Sequence, residues 1–574
     1  MPVTLVVCSN DDNLLHRTTN SLQAESHIND STALPIWRIA IELLLVFAVF
    51  FLHGAWPVPD VNEPHYLSKA KHYWDSSWCA NDFFVNTADA HQVFYWTFGW
   101  ITRFFSLDQT AWIGRILTWA LLAWAWRRLS WAVLPRAWLA ILSAELFVLL
   151  NENAHMAGEW VVGGIEAKGF AYVLVFLGLE AVVRSRWNKA WLLFGAASSF
   201  HVIVGGWAAV AGGIAWLATS DDRPLLKTML PGLMGGLVLA LPGLWFALSL
   251  TRGADPATVH AANAIYVWQR LPHHLAADRF KEGFPSRHLM MWGLWLAVIT
   301  LWPTDSAGRR LRWFVGATML LSVVGYLLVW IGGWMPDAAA AFLRFYWFRM
   351  SDVFVPVGVS LVGLTIIDQL GQTKPRAKRL WLAALILLSA YDLWLQTGHL
   401  PLNAVFPDAA VVVPRSDKNL VYDDWLQTCA WIKGHTGSND VFLTPRMSST
   451  LRFYAGRSEV VNWKDFPQDA AGIVEWWKRM FDVHTLPNDN PQWEGKKLDP
   501  AMLAKATPPK FVESLALVGP AKLSELGQKY GAQYAIVQYG PDIPRLPGTP
   551  EFESGKPHTQ DLHYAVYRLP IPER

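Results

Sequence analysis

The sequence predicts an α-helical polytopic membrane protein with about eleven membrane segments, followed by one soluble α/β domain. The 574 residues are 53% hydrophobic and only 16% charged. Long apolar runs recur up to about residue 400 and become shorter beyond Pro401. The 34 tryptophans also suit a membrane protein, because indole combines an apolar ring with a polar N–H at the headgroup level.

Residues 36–398 are expected to form the transmembrane domain, and residues 399–574 the soluble domain. The candidate segments have lengths near or somewhat below the roughly 20 residues that a bilayer requires. They lie at about 36–56, 111–126, 131–150, 169–183, 190–201, 203–218, 227–250, 289–303, 313–333, 352–369 and 380–396. Residues 92–106 are predicted to form an interfacial or re-entrant helix.

The N-terminal residues 1–35 are polar and do not resemble a signal peptide, so they are predicted to form a disordered cytoplasmic tail. Three cysteines are too few for a disulfide framework, and none has zinc-site spacing. A net charge of +2 gives no reason to expect nucleic acid as a partner.

Lys and Arg cluster in five short loops, which predicts that those loops are cytoplasmic. This orientation requires residues 190–218 to cross and return as a short hairpin, broken near His201 and the Gly205-Gly206 pair. Such a break is tolerated where it lines a cavity in the protein. The stretches 57–110, 151–168, 251–288 and 334–350 then face the exterior together with the soluble domain. The expected location is the bacterial inner membrane, with the N-terminus in the cytoplasm.

The first external loop, VPDVNEPHYLSKAKHYWDSSWCANDFF, places carboxylates at the edge of the membrane. Carboxylates at that depth are costly unless they are solvated or used, so Asp60 and Glu63 are functional candidates. A structural alternative is that Glu63 caps the helix that follows it or pairs with Lys69.

This loop resembles the membrane glycosyltransferases of the C superfamily (GT-C), which use sugars carried on polyprenyl phosphate. Their acidic residue or Asp-Glu pair follows the first helix, where this chain has Asn62-Glu63, and LSKAKHYWDSSW is similar to their juxtamembrane helix. Arg115 corresponds to their arginine near the second span. Asn62 replaces the usual Asp, and His91-Gln92 stands where many relatives have Lys-Pro. GGIEAKGFAY, FHVIVGGW and WKDFPQDAAGIVEWW resemble a bacterial multi-pass group of this superfamily without an established reaction.

The resemblance implies sugar transfer from a lipid-phosphate donor on the extracytoplasmic face, to a glycan, lipid or protein acceptor. Such chemistry needs a carboxylate to accept a proton from the acceptor and cations to stabilise the departing phosphate. We expect Glu63 to be the general base, with Asp60 as its substitute. In relatives, a second acidic residue of the next external loop helps hold a metal or the acceptor, which corresponds loosely to Glu159 or Glu166.

Further candidates for substrate and phosphate binding come from the other external segments. Their density beside the membrane is hard to explain by packing alone, and arginine matches phosphate well. A Glu166–Lys168 pair that only seats a helix, or snorkelling arginines, are the structural alternatives. A divalent cation is left open, since His273-His274 alone is a weak metal signal. The candidates are Glu159, Glu166, Lys168, His201, Arg270, His273, Arg279, Arg344 and Arg349.

The soluble domain alternates helical and strand patterns, which predicts a three-layer α/β fold with a mainly parallel sheet. It has no nucleotide-binding fingerprint and no GxSxG elbow, so it is predicted to cap the membrane site or bind the acceptor. The loop after the predicted strand EVVNW, with Trp463, Lys464, Asp465 and Gln468, is its candidate ligand region.

Two other functions fit the same sequence. A transporter or flippase of a lipid-linked or small solute would explain a broken hairpin around His201, but it would place charges at the bilayer midplane. Most charges here lie in loops, which favours the enzyme. A non-catalytic role in envelope assembly has no positive sequence signal.

Overall fold

The computed structural model of the protein describes residues 35–220, 223–301, 306–486, 499–505, 509–555 and 562–572. The predicted N-terminal tail therefore lies outside the described residues, apart from Pro35. An apolar helix falls on each predicted segment. These helices are Ile36–Gly54, Leu107–Val133, Leu139–Ala154, Ala167–Val183, Trp187–Phe200, Val202–Ala218, Leu226–Ser249, Phe284–Leu301, Ser306–Gly332, Arg349–Thr373 and Pro375–Gln396.

Five helical stretches in the described part of the chain are long and apolar enough to cross a membrane. They are Ile36–Gly54, Leu226–Ser249, Ser306–Gly332, Arg349–Thr373 and Pro375–His399. The predicted fold class, a helical multi-pass membrane protein with a C-terminal α/β domain, is confirmed. The number of about eleven spans stays a prediction, because the other helices are shorter or less apolar.

The helical hairpin of residues 187–218 breaks at His201, as the sequence predicts. One helix ends at Phe200 and the next begins at Val202, and His201 between them has extended dihedrals (φ −150°, ψ 99°). The first of these helices, Trp187–Phe200, packs closely on helix Leu226–Ser249. The two backbones are so close at Gly195 that a Cβ on this residue would lie 2.0 Å from the carbonyl oxygen of Gly236. His201 therefore lies where the first helix of the hairpin ends and the second begins.

The segments between the apolar helices contain short helices. Glu63–Trp74 begins four residues after Pro59, which follows a cis peptide bond, and residues 92–106 form the helix Gln92–Thr97 and a 3-10 turn instead of a longer helix. The remaining short segments are Pro256–Ala264, the π-helical Ile265–Arg270, Pro272–Leu275, the 3-10 turn Ala277–Arg279 and Pro336–Leu343.

The C-terminal domain has a five-stranded mixed sheet. Its strands are β1 Val441–Leu443, β2 Ser458–Glu459, β3 Tyr534–Tyr539, β4 Phe552–Glu553 and β5 His563–Arg568, in the order β2-β1-β3-β5-β4. Helices Tyr422–His435, Leu451–Ala455, Ala470–His484, Pro500–Lys505 and Pro520–Tyr530, with the 3-10 turns Thr397–His399, Leu402–Ala404 and Leu515–Val518, complete the described part.

The prediction of a mainly parallel sheet is wrong. β1 is parallel to β2 and β3, whereas β5 is antiparallel to both β3 and β4. A parallel neighbour needs a crossover, usually a helix, and the described residues between β3 and β5 contain only β4, so β5 returns in the opposite direction. The predicted strand EVVNW is also shorter than expected, since β2 ends at Glu459.

The C-terminal domain is joined to the segments between the apolar helices by packing and by a buried ion cluster. Apolar residues of 262–343 share one hydrophobic core with the domain. The fully buried Arg452 pairs with Asp82 of the first loop at 2.8 Å, with Glu459 at 2.8 Å, and with Asp465. Burial raises the pKa of Glu459 to about 8, so this carboxyl group holds a proton at neutral pH and one of the three negative charges is removed. These contacts hold the domain against the first loop.

Candidate functional site

Glu63 is completely buried and both of its carboxylate oxygens are occupied. Arg115 donates to it from Nε and Nη2, each at 2.7 Å, in a bidentate pair. The backbone N–H groups of Asp60 and Ile165 donate to it as well, at 2.7 and 2.9 Å. These four donors stabilise the charged carboxylate and fasten the first loop to the second. The predicted alternative pairing with Lys69 does not form, because Lys69 donates to Thr87.

The second loop, between helices Leu139–Ala154 and Ala167–Val183, lies directly on the first at Gly164. A Cβ on this residue would lie 2.7 Å from Cβ of Asp60 and 2.9 Å from Oε1 of Glu63, so only glycine permits the approach. The N–H of Gly164 donates to Asp60 at 2.8 Å.

Asp60 is held by an arginine of the C-terminal segment. Arg415 donates to both of its oxygens, from Nε at 2.6 Å and from Nη2, and its guanidinium carbon lies 5.1 Å from the centre of the Trp56 ring. Burial alone would raise the pKa of Asp60, but Arg415 holds that pKa below its ordinary value. Asp60 is therefore a permanent anion, which makes it a poor proton acceptor at neutral pH.

A chain of alternating carboxylates and cations continues from the first loop into the second. The Asn62 side chain donates to Glu166 at 3.0 Å, and Lys168 Nζ lies 3.6 Å from Glu166 and 3.7 Å from Glu159. The same ammonium lies 3.8 Å from the centre of the Trp160 ring, which is a cation–π contact. We call Asn62, Glu159, Glu166, Lys168, His201 and Arg349 the junction cluster.

Arg349 and His201 complete the junction cluster. Arg349 Nε lies 2.9 Å from Glu159, and its Nη1 lies 3.1 Å from His201 Nε2. The His201 ring is 5.4 Å from that of His91, and His91 Nδ1 lies 3.1 Å from the amide of Gln468 in the C-terminal domain. The break at His201 thus brings the membrane hairpin to the loops and the domain.

The negative charge of the Glu166 carboxylate is balanced by fewer close partners than the charges of the other acidic residues of the site. It is buried, and within the described residues its side chain accepts a hydrogen bond from Asn62 alone, since Lys168 is too distant for a short hydrogen bond. Burial raises the pKa of Glu166, and the charges of Glu159 and Asp60 raise it further, against the opposing effects of Lys168 and Asn62. A raised carboxylate pKa is the property that a general base near neutral pH needs.

Lys464, in the candidate ligand loop of the C-terminal domain, adds a cation to this region. The negative charges of Glu166 and Asp60 act to raise the pKa of Lys464. Burial, together with the positive charge of Arg270, lowers the pKa of Lys464 to about 8. Arg270 fixes the loop by donating to the backbone carbonyls of Trp463 and Lys464, at 3.0 and 3.4 Å. Arg270 therefore positions the loop.

Three other predicted binding residues contact side chains that do not belong to the junction cluster. His273 stacks on His274 with ring centres 4.2 Å apart, and burial lowers the pKa of His273 to about 4. Arg344 donates to the side chain of Asn263 at 2.6 Å. Arg279 lies 3.6 Å from its neighbour Asp278 on an exposed turn. Their predicted role in binding stays a prediction.

Sequence reasoning did not single out Arg415 or Arg452. Arg415 follows the apolar stretch VVVP, and an isolated charge after such a run is a weak signal of a buried partner. Arg452 lies in a predicted helix whose carboxylate partners are 7, 13 and 370 residues away in the sequence, as its contacts with Glu459, Asp465 and Asp82 show. Neither spacing is local enough to be recognised from the sequence alone.

The fold and this site define a multi-pass membrane protein whose C-terminal α/β domain closes over a charged junction. Residues 423–483 match the model of a domain of unknown function, DUF6798. No curated protein matches the chain.

The chain is similar to ArnT from Cupriavidus metallidurans, whose crystal structure was determined bound to undecaprenyl phosphate. The TM-score is 0.36 and the identity 14%, over 93% of this chain and 97% of that chain. A likeness of this degree carries no argument about the reaction, so the argument for function rests on the junction cluster.

Proposed function

We propose that the protein is a membrane glycosyltransferase that takes a sugar from a lipid-phosphate donor at the junction between its membrane helices and its C-terminal domain. The observation that supports this most is Glu166, a buried carboxylate with a raised pKa that lies beside Asn62 and 3.6 Å from Lys168. Among relatives of the C superfamily an acidic residue usually stands at the position of Asn62. Here the neighbouring loop supplies a carboxylate 3.0 Å from that side chain.

In the proposed reaction, Glu166 accepts the proton of an acceptor hydroxyl while the acceptor oxygen forms its bond to the anomeric carbon. The bond between that carbon and the phosphate oxygen breaks, and the electron pair leaves with the polyprenyl phosphate. Lys168, Arg349 and Lys464 supply positive charge to the phosphate as it departs. Asn62 orients Glu166, and the Glu63–Arg115 pair with the Asp60–Arg415 pair holds the loops in register.

The pH dependence of donor binding tests the role of Lys464. Its pKa of about 8 means that the ammonium is charged at neutral pH and loses its proton as the pH rises through that value. The second phosphate pKa is about 6, so the charge of the ligand is constant in this range. We expect the Kd for polyprenyl phosphate to increase about ten-fold between pH 7 and pH 9.

The measurement is a binding titration with the purified chain in nanodiscs, with polyprenol as the ligand that lacks phosphate. Lys464→Arg should bind with an affinity that is nearly constant over the same range, since arginine keeps its charge. Equal pH dependence of the wild type and of Lys464→Arg would remove Lys464 from the phosphate site. Equal binding of polyprenol and polyprenyl phosphate would contradict the proposed donor class.

The proposed reaction also requires the C-terminal domain to be extracytoplasmic. Asp408 is exposed in the turn that follows the last apolar helix. Cys79 and Cys429 are buried. In a Cys8→Ser background, we expect Asp408→Cys to react with a membrane-impermeant maleimide in spheroplasts. The wild-type Cys8 should react only after permeabilisation. The opposite pattern would place the junction cluster on the cytoplasmic face.

A further inference from the structure

A second group of ionisable residues, none of which belongs to the junction cluster, lies on three apolar helices. His53 is in the last turn of Ile36–Gly54, Glu145 and Glu152 are on Leu139–Ala154, and Asp392 is on Pro375–Gln396. His53, Glu145 and Asp392 are buried, and one ligand atom of each lies within 4.8 Å of the other two. No other group with these properties occurs in the residues that the structure describes.

The hydrogen bonds of His53 determine which of its nitrogens faces the group. Nδ1 lies 3.0 Å from Glu152 Oε2, so it must carry the proton that joins the two atoms. Nε2 points to the other two carboxylates, at 3.1 Å from Glu145 Oε2 and 3.5 Å from Asp392 Oδ2. In neutral histidine this nitrogen has a lone pair and no proton, so the three converging atoms repel one another unless a positive charge lies between them.

A proton on Nε2 would satisfy only part of this group. It could serve Glu145 Oε2, but Oε1 of Glu145 and Oδ2 of Asp392 are both buried and accept no hydrogen bond. Leaving buried carboxylate oxygens without a donor is costly. A divalent cation would bind all three residues at once, because carboxylate oxygens and an imidazole nitrogen are its usual ligands.

We propose that His53, Glu145 and Asp392 bind a divalent transition-metal cation of the zinc class, with Glu152 as the carboxylate that orients His53. Ligands at about 2.0–2.1 Å around a tetrahedral ion are about 3.3 Å apart. The two distances from Nε2, 3.1 and 3.5 Å, lie on either side of that value. A histidine that donates its second N–H to a carboxylate is the arrangement that metal-ligating histidines commonly adopt.

The metal would connect the two ends of the transmembrane region. Helix Ile36–Gly54 leads into the first external loop, and helix Pro375–Gln396 leads into the C-terminal domain. Trp56 and His399, which follow these helices, stack with their ring centres 4.2 Å apart. The ion would thus fix the two segments that carry Asp60 and Arg415, whatever reaction the junction cluster performs.

The test is a titration of the purified full-length chain, prepared without a histidine tag and treated with a chelator, with Zn²⁺ and Mg²⁺. We expect one equivalent of Zn²⁺ to bind much more tightly than Mg²⁺. Co²⁺ should bind competitively and produce the visible absorption of a low-coordinate site. Glu152→Gln should weaken Zn²⁺ binding by about 10–100-fold, the usual effect of removing an orienting carboxylate. His53→Asn should abolish binding of this one equivalent of Zn²⁺.

Matched controls distinguish this site from surface histidines and from a simple proton bridge. His260 forms an exposed pair with Asp337, so His260→Asn should leave the Zn²⁺ equivalent unchanged. Asp392→Asn should remove most of the affinity while the metal-free chain keeps its melting temperature. Three results would overturn the proposal: a folded wild type that binds no Zn²⁺, unchanged Zn²⁺ affinity in both His53→Asn and Asp392→Asn, or an Asp392→Asn chain more stable than the Zn²⁺-treated wild type.

Discussion

Glu166→Gln is expected to lower sugar transfer by about 10²–10⁴-fold, the contribution that a positioned general base usually makes. Glutamine keeps the shape of the side chain and can still accept the hydrogen bond from Asn62. It cannot accept the acceptor proton. The melting temperature should therefore change little, and the loss should appear in kcat more than in KM.

The measurement is the release of polyprenyl phosphate from a panel of polyprenyl-phosphate sugars, with the purified chain in nanodiscs. Glu525→Gln is a suitable control, because Glu525 is largely exposed and pairs with Lys522 on the same helix. This control should keep full activity. Transfer by Glu166→Gln at the wild-type rate would exclude Glu166 as the base and leave Glu159 and Glu63 to be tested.

Glu63→Gln is expected to destabilise the protein strongly. The substitution removes one partner of a fully buried bidentate pair and leaves the Arg115 charge without its counterion. Breaking a buried ion pair in this way typically costs about 3–5 kcal/mol. A clear fall in melting temperature should follow, and Glu63→Gln/Arg115→Gln should be less destabilised than the sum of the two single variants.

This experiment also decides the role that the sequence predicts for Glu63. A general base would show a fall in transfer at an unchanged melting temperature. A residue that holds the loops would show the fall in melting temperature first, with transfer per folded molecule largely retained. The four donors around Glu63 lead us to expect the second result, and the first would restore Glu63 as the base.

The features that the sequence predicted best are those encoded by a local pattern. Apolar runs of sufficient length predicted the helices, and His201 within an apolar stretch beside two glycines predicted the broken hairpin. The pairing of the first and second loops was expected because both were predicted to face the same side of the membrane and to contribute to one site. Gly164 allows their contact without being recognisable in advance as the point of contact.

Long-range pairing could not be read from the sequence. The carboxylate of Glu63 could have faced solvent, Lys69 or Arg115, and only the fold selects Arg115. The neutralisation of Asp60 depends on Arg415, 355 residues later. For the same reason the raised pKa of Glu166 and the lowered pKa of Lys464 follow from burial, which sequence patterns do not report at single residues. The direction of β5 also follows from the fold, because the described residues between β3 and β5 contain no crossover helix.

The position of a bound polyprenyl phosphate in an electron cryomicroscopy map tests the central claim most directly. The proposed site predicts a phosphate in contact with Lys168 or Lys464 and close to Arg349. The prenyl chain should leave along the apolar helices, and the carboxylate of Glu166 should face the position where the sugar would be attached. A phosphate bound away from the junction cluster, with Glu166 and Lys464 distant from it, would contradict the proposed glycosyltransferase site.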